Sequence, residues 1–323
     1  MRERTRGLVF ASAGALLAGY ILLGFNQGIA LGGTDFDPVW YAARRYLAGE
    51  EPYVAAAPPR FYFPLLYPFP AVLVALPFAE LGLRAGRLAF VALSGGLFGY
   101  ALGRYRPWTW PTFFGLPFIL SASLAQWSAI LTAALFLPWL GPVLAAKPNL
   151  ALAILAGARS RRAAIILLAG ALALTLVSLA IEPEWPTRWR DALAQSTHFR
   201  PLLMRPGGVL MLLALLRWRD ADARLLLGLA AMPTTGLYYD MLPAAMVART
   251  RTESALLAGC TLVAWFAHPS FPVTSPYEVW SWKAGTLTLW SSLVPPLIIV
   301  LRRGRARVER EEAHPAGDPA PRR

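Results

Sequence analysis

GLVFASAGALLAGYILLGFNQGIAL, residues 7–31, is an apolar run broken by no charge, and it decides the fold class. About 20 such residues are enough for a helix to cross a bilayer. Similar runs recur to the end of the 323-residue chain, which is 56% hydrophobic and only 15% charged. Soluble domains carry about a quarter charged residues. The expected class is therefore an all-α, polytopic membrane protein.

The run follows a basic start, Arg2, Arg4 and Arg6. A basic flank, then an apolar stretch, also describes a signal peptide. Residues 7–31, however, are long enough to span and offer no clear small-x-small cleavage site, so they read as a retained first helix. Its basic flank places the N-terminus in the cytoplasm.

Further spans are expected at 67–83, 87–103, 149–157, 163–181, 225–235, 237–248, 254–267 and 283–301. Between them, 111–124 and 126–144 are short or broken by proline and read as a pair that brings Lys147 to the outer side. Interrupted segments of this kind are tolerated where they line a protein cavity. The total is about ten to twelve transmembrane helices, an even number with both termini inside. The transmembrane domain occupies 1–301, and residues 302–323 form a basic, Pro-rich tail expected to be disordered.

The net charge of +13 sits in short clusters such as ARSRR at 158–162 and RRGRAR at 302–307. These mark cytoplasmic loops beside anionic lipid. No basic face interleaved with aromatics accompanies them, which argues against a nucleic-acid partner. Cys260 is the single cysteine, and His198, His268 and His314 are scattered. No metal site and no cofactor is expected from them.

Titratable groups away from the basic turns collect in the expected external loops, at 32–66 and 182–201, and at Lys147 and Asp240. In the first loop, DPVWYAARRYLAG reads as an amphipathic helix capped by Asp37, with Pro38 at its first position and Gly49 near its end. Val39, Trp40, Ala43 and Leu47 share one face, suited to the membrane surface. A carboxylate at such a helix mouth is partly desolvated, a setting for a general base.

Ordered motifs accompany this loop: TDF at 34–36, WYAA at 40–43, LAGEEPY at 47–53 and YPFPAVLVALPFA at 67–79. LAQW (124–127), AAKPN (145–149) and PTTGLYYDMLP (233–243) follow. In this order, over about residues 30–245, the set resembles bacterial polyprenyl-phosphate-sugar-dependent glycosyltransferases of the GT-C superclass, nearest the alpha-1,2-mannosyltransferase-like family 87.

The resemblance implies a GT-C-type bundle that moves a sugar, mannose by the family's leaning, from a polyprenyl-phosphate donor to a glycan or lipid acceptor. Transfer would occur at the outer face of the plasma membrane, with inversion and without metal. It makes Asp35 the base, with Asp37 as the other acid of the loop, and sets Lys147, with Arg44 or Arg45, on the donor phosphate. Gln126, Tyr239, Asp240 and Tyr67 are further candidate substrate contacts. The chain departs from the family in carrying Ala125 where Gly precedes the Gln, and Thr234, Thr235 and Gly236 after Pro233. A lipid or small-molecule transporter without covalent chemistry is the rival class. It predicts inverted repeats and mid-bilayer ionisable groups, whereas the charged groups here cluster at one side.

Overall fold

The computed structural model describes residues 3–26, 34–53, 65–194, 199–234, 236–267 and 277–313. They form an almost wholly helical bundle. Four helices are long and apolar enough to cross a membrane: Glu3–Gly24, Leu83–Tyr105, Arg161–Ile181 and Val279–Arg303. The third is the barest, with only Leu167 and Ser178 buried along it. A helix apolar on every side and uncovered by protein belongs in lipid.

Helix α1 (Glu3–Asn26) packs antiparallel on α4 (Leu83–Tyr105). Arg6 reaches the carbonyl of Gly103 at one end, while Gly19 lies against Leu88 at the other. Gly95, Gly99 and Gly103 repeat every fourth residue along the contact. A methyl group on Gly99 would sit 2.1 Å from the Phe10 carbonyl oxygen, and one on Gly14 would sit 2.3 Å from that of Gly95. Small residues at this spacing let two backbones touch, the usual way helices associate inside lipid.

This pairing corrects the expected path of the chain. Helix α3 (Phe69–Ala79) has 11 residues, about 16 Å at 1.5 Å each, and is too short to span. It lies beside α2 (Asp37–Leu47), with Trp40 Nε1 donating to the Phe78 carbonyl at 2.9 Å. Leu83–Arg87 therefore lies at the same end of the bundle as Asp35 and Asp37, not opposite it as a span over 67–83 requires.

A second correction offsets the first. Three segments, not two, separate Tyr105 from Lys147. One is a 3-10 helix over Pro107–Phe114 continued by α5 (Leu116–Ser123); the next is α6 (Ser128–Ala134); the last is a 3-10 helix over Pro138–Ala146. The first ends beside Asp35, whose amide donates to the Leu124 carbonyl at 3.0 Å. The second reaches Phe136, which stacks on Tyr105 at the far end. A 3-10 helix rises about 2.0 Å per residue against 1.5 Å for α, so the short last segment still regains the Asp35 end. Prolines at 111 and 142, which break the α-helical hydrogen-bond ladder, lie inside these tighter, more extended segments.

Helix α7 (Pro148–Ala156) runs back to the far end, and α8 (Arg161–Ile181) returns to α9 (Trp185–Ala194). Strands β1 (Arg200–Pro201) and β2 (Pro233–Thr234) pair antiparallel. A 3-10 helix over Gly208–Arg217 and α10 (Ala221–Ala231) lie between them. The chain then continues through a 3-10 helix over Tyr238–Val247 and through α11 (Arg251–Ala267). Helices α12 (Tyr277–Thr288) and α13 (Val294–Ala313) are joined by a π-helical turn over Leu289–Leu293. At the far end Asp222 holds Arg159 and Arg303 at 3.0 and 2.8 Å.

Helix α13 continues through Ala313, into the stretch expected to be a disordered tail; residues 314–323 and His198 lie outside the described residues. The first helix is described through Asn26, and residues 27–33, into which the expected span to 31 extends, likewise lie outside the described residues.

Candidate functional site

Asp35 sits between α1 and α2, at the turn that opens α2. Its amide is pinned to Leu124, which brings it against the LAQW segment. There Gln126 Nε2 donates to Asp35 Oδ2. The other end of that amide, Oε1, accepts from Lys147 Nζ at 3.1 Å and faces the Tyr67 hydroxyl at 3.5 Å. An ammonium cannot accept, so this partner fixes which way the Gln126 amide points.

Lys147 in turn pairs with Asp240 at 2.6 Å, and its ammonium lies 4.9 Å from the centre of the Tyr239 ring. Asp240 also accepts from Ser128 and Thr234 at 3.3 and 3.2 Å. Gln126, Lys147, Tyr239 and Asp240 are all buried. Ions in such a place survive only when paired and hydrogen-bonded, and each has its partner. The chain Asp35–Gln126–Lys147–Asp240 joins four separate segments of sequence into one polar network.

Burial pushes the Asp35 carboxyl up to about 6; Asp240 and Asp37 add to the rise, while Lys147 and the Gln126 hydrogen bond oppose it. The group thus changes charge close to neutrality, where a general base works best. Tyr67 is held well above the usual phenol range, first by burial and then by Asp35 and Asp240. It is a proton donor in the network.

Six of the expected site residues, Asp35, Tyr67, Gln126, Lys147, Tyr239 and Asp240, come together. Arg44 and Arg45 are held elsewhere. Arg44 lies over Trp40 and donates to the Ala79 carbonyl at 3.4 Å, and Arg45 pairs with Glu50 at 3.3 Å. Arg44 is exposed and Arg45 half-buried. Val39, Trp40 and Ala43 are buried in protein, and Leu47 is exposed.

Asp37 is not the helix cap. Phe36 takes that place, and the Asp37 carboxylate turns back to accept from the Thr34 amide and hydroxyl at 2.8 and 2.7 Å. It also grips the Arg87 guanidinium with both oxygens, one of them 2.5 Å from Nε. With its acceptor capacity filled, Asp37 locks α2 to α4 and orients the loop that carries Asp35. Arg188 provides a second clasp. It joins Glu51 of the first loop to Glu182 and Glu184, the last two at 3.2 and 2.7 Å.

No motif in the sequence marks Ser128 and Thr234 as partners of Asp240, although they stand within a few residues of Gln126 and Asp240. Ala125 carries a further signal. Its φ is +49°, the left-handed region that favours glycine. Ala125 therefore carries backbone strain directly before Gln126, the residue that orients Asp35. No family model, curated protein or solved structure matches the chain.

Proposed function

We propose that the protein is a membrane glycosyltransferase of the GT-C type, with a bundle of about ten to twelve membrane passes. It moves a sugar, mannose in the first instance, from a polyprenyl-phosphate carrier to a hydroxyl of a glycan or lipid acceptor. The observation that carries this reading is Asp35, a single carboxylate titrating near 6 and oriented by Gln126 at the mouth of the bundle. One such base suffices for an inverting displacement. Asp35 takes the acceptor proton as the oxygen attacks the anomeric carbon, and the carrier phosphate leaves with the bonding electrons.

Asp37 and Arg87 set the position of that base. Lys147 and Asp240 hold Gln126 from behind, so the amide presents its N–H to Asp35 and keeps the carboxylate aimed. The far end carries Arg6, Arg104, Arg106, Arg159 and Arg303. Basic ends favour the cytoplasm, which supports termini inside and the Asp35 end outside, where lipid-linked donors would be used.

The reading is tested in proteoliposomes loaded with radiolabelled polyprenyl-phosphate mannose and a panel of glycan and lipid acceptors. Label passing to an acceptor and requiring Asp35 supports it. Label that instead crosses the bilayer still attached to its carrier would make the protein a transporter.

A further inference from the structure

Among the described residues, several buried or half-buried cations have a carboxylate, while Arg6 and Arg224 are held by backbone carbonyls. Lys147 has Asp240, Arg87 has Asp37, and Arg159 and Arg303 share Asp222. Arg205 has neither kind of partner among the described residues. It is 4% exposed, yet Nε has no hydrogen-bond partner and no acid pairs with the guanidinium among those residues. Its contact is the Trp282 ring, 4.6 Å from Cζ. Burial, and then the charge of Arg200, both depress its pKa.

The setting around it is built, not incidental. Arg205 follows β1 and a short 3-10 turn, and the chain then reverses at Gly207, whose φ is +85°. Trp290, in the π-helical turn, donates to the Pro206 carbonyl at 3.1 Å and fixes the loop. Gly285 makes the room: a methyl group there would stand 2.9 Å from Nε and 3.1 Å from Cζ of Arg205. Burying a guanidinium without an anion is unfavourable, and π-helical turns gather at functional places.

The position adjoins the Asp35 network. Thr234, which donates to Asp240, also accepts from the Gly236 amide at 3.3 Å. Gly236 packs directly on Gly285, where a methyl would come 2.8 Å from the Gly285 Cα. The network itself holds two carboxylates, Asp35 and Asp240, against one ammonium, which is already spent. It has no cation left for an incoming anion.

We propose that Arg205 is the binding residue for the phosphate group of the sugar donor, held on the Trp282 face and reached past Gly285. This rests on the glycosyltransferase reading for the source of the phosphate. A guanidinium fork matches phosphate oxygens two at a time, and Trp282 pre-sets its plane. Lys147 then keeps the network in register, and Arg205 meets the leaving phosphate.

The test is isothermal titration of the purified full chain with three probes: a polyprenyl monophosphate without sugar, the polyprenol of equal length, and inorganic phosphate. Wild type is expected to prefer the lipid phosphate over the polyprenol by about 100-fold. Arg205→Gln reduces that preference at least about ten-fold. Gly285→Ala, which keeps the charge but crowds the guanidinium, does the same, and Arg251→Gln, at an exposed arginine outside the site, leaves it intact. Variants that melt with wild type and keep the preference overturn the proposal, as does a wild type with no preference. Inorganic phosphate binding as tightly as the lipid phosphate overturns the donor assignment in favour of a free anion. No sugar or acceptor is present, so an Arg205-dependent preference in a protein that transfers no sugar would uphold the site and remove only the enzyme.

Discussion

Lys147 and Asp240 meet at 2.6 Å inside the bundle, joining the start of α7 to the 3-10 helix that begins at Tyr238. Both are buried, so neither charge is sustained by water. The pair is the rear wall of the site: Lys147 reaches Gln126 on one side, and Ser128 and Thr234 hold Asp240 on the other.

Removing one member leaves the other buried and unpaired. Lys147→Met or Asp240→Leu alone is expected to lower stability by about 3–5 kcal/mol. The double variant recovers most of this, because an apolar pair leaves no orphan charge. Sugar transfer stays low in the double variant, since Gln126 has lost the donor that orients it. Melting of the three variants in one detergent checks the stability pattern.

Asp35 gives a pH dependence with a defined sign. Only the carboxylate accepts a proton, so the transfer rate should rise through about pH 6 and level off above it. For stability the sign is opposite. A carboxyl raised in the folded state favours folding while protonated, and that advantage is lost as pH rises from its ordinary value to about 6. Asp35→Asn should therefore be more stable than wild type at pH 7.5, by about 2 kcal/mol, and closer to it at pH 4. Thermal melts at both pH values test this.

Ala125 holds its left-handed φ at a cost of about 1–2 kcal/mol. Ala125→Gly should release part of it and raise stability by about 1 kcal/mol, with transfer unchanged. A loss of stability would mean that the buried methyl matters more than the backbone.

Gly99 tests the α1–α4 contact. A side chain there meets the Phe10 backbone, which cannot move aside as a flexible side chain would. Gly99→Leu is expected to lower the melting temperature sharply and to abolish activity through the fold, whereas Gly24→Leu, with open space around it, should be neutral. Parallel melts of the two variants separate packing from helix propensity.

The membrane class and the polar residues of the site were legible in sequence because each rests on local pattern: apolar runs, and a few polar residues at the mouths of those runs. The path of the chain was not. Phe69–Ala79 is as apolar as a span, and only its length and its packing against Trp40 show that it stays at one end. The segments between Arg106 and Lys147 were obscured by 3-10 winding, which carries the chain farther per residue than the α-helix assumed in counting spans. Arg44 and Arg45 stand close to Asp35 in sequence, but Arg44 is held by Trp40 and Ala79 and Arg45 by Glu50. Asp37 looked like a cap because Pro follows it, and its partner Arg87 lies far along the chain. Arg205 offered no signal at all, since an unpaired charge is visible only after the fold has withheld its partner.

The central claim is that Asp35, and not its neighbour Asp37, removes the acceptor proton. Single-turnover transfer from polyprenyl-phosphate mannose, measured for wild type, Asp35→Asn and Asp37→Asn at matched donor saturation, tests it most directly. The account predicts that Asp35→Asn slows the chemical step by about a thousand-fold or more while binding donor as wild type does, and that Asp37→Asn lowers stability with a smaller effect on rate per folded molecule. An Asp35→Asn protein that turns over at the wild-type rate, beside an Asp37→Asn protein that is folded and inactive, would contradict it.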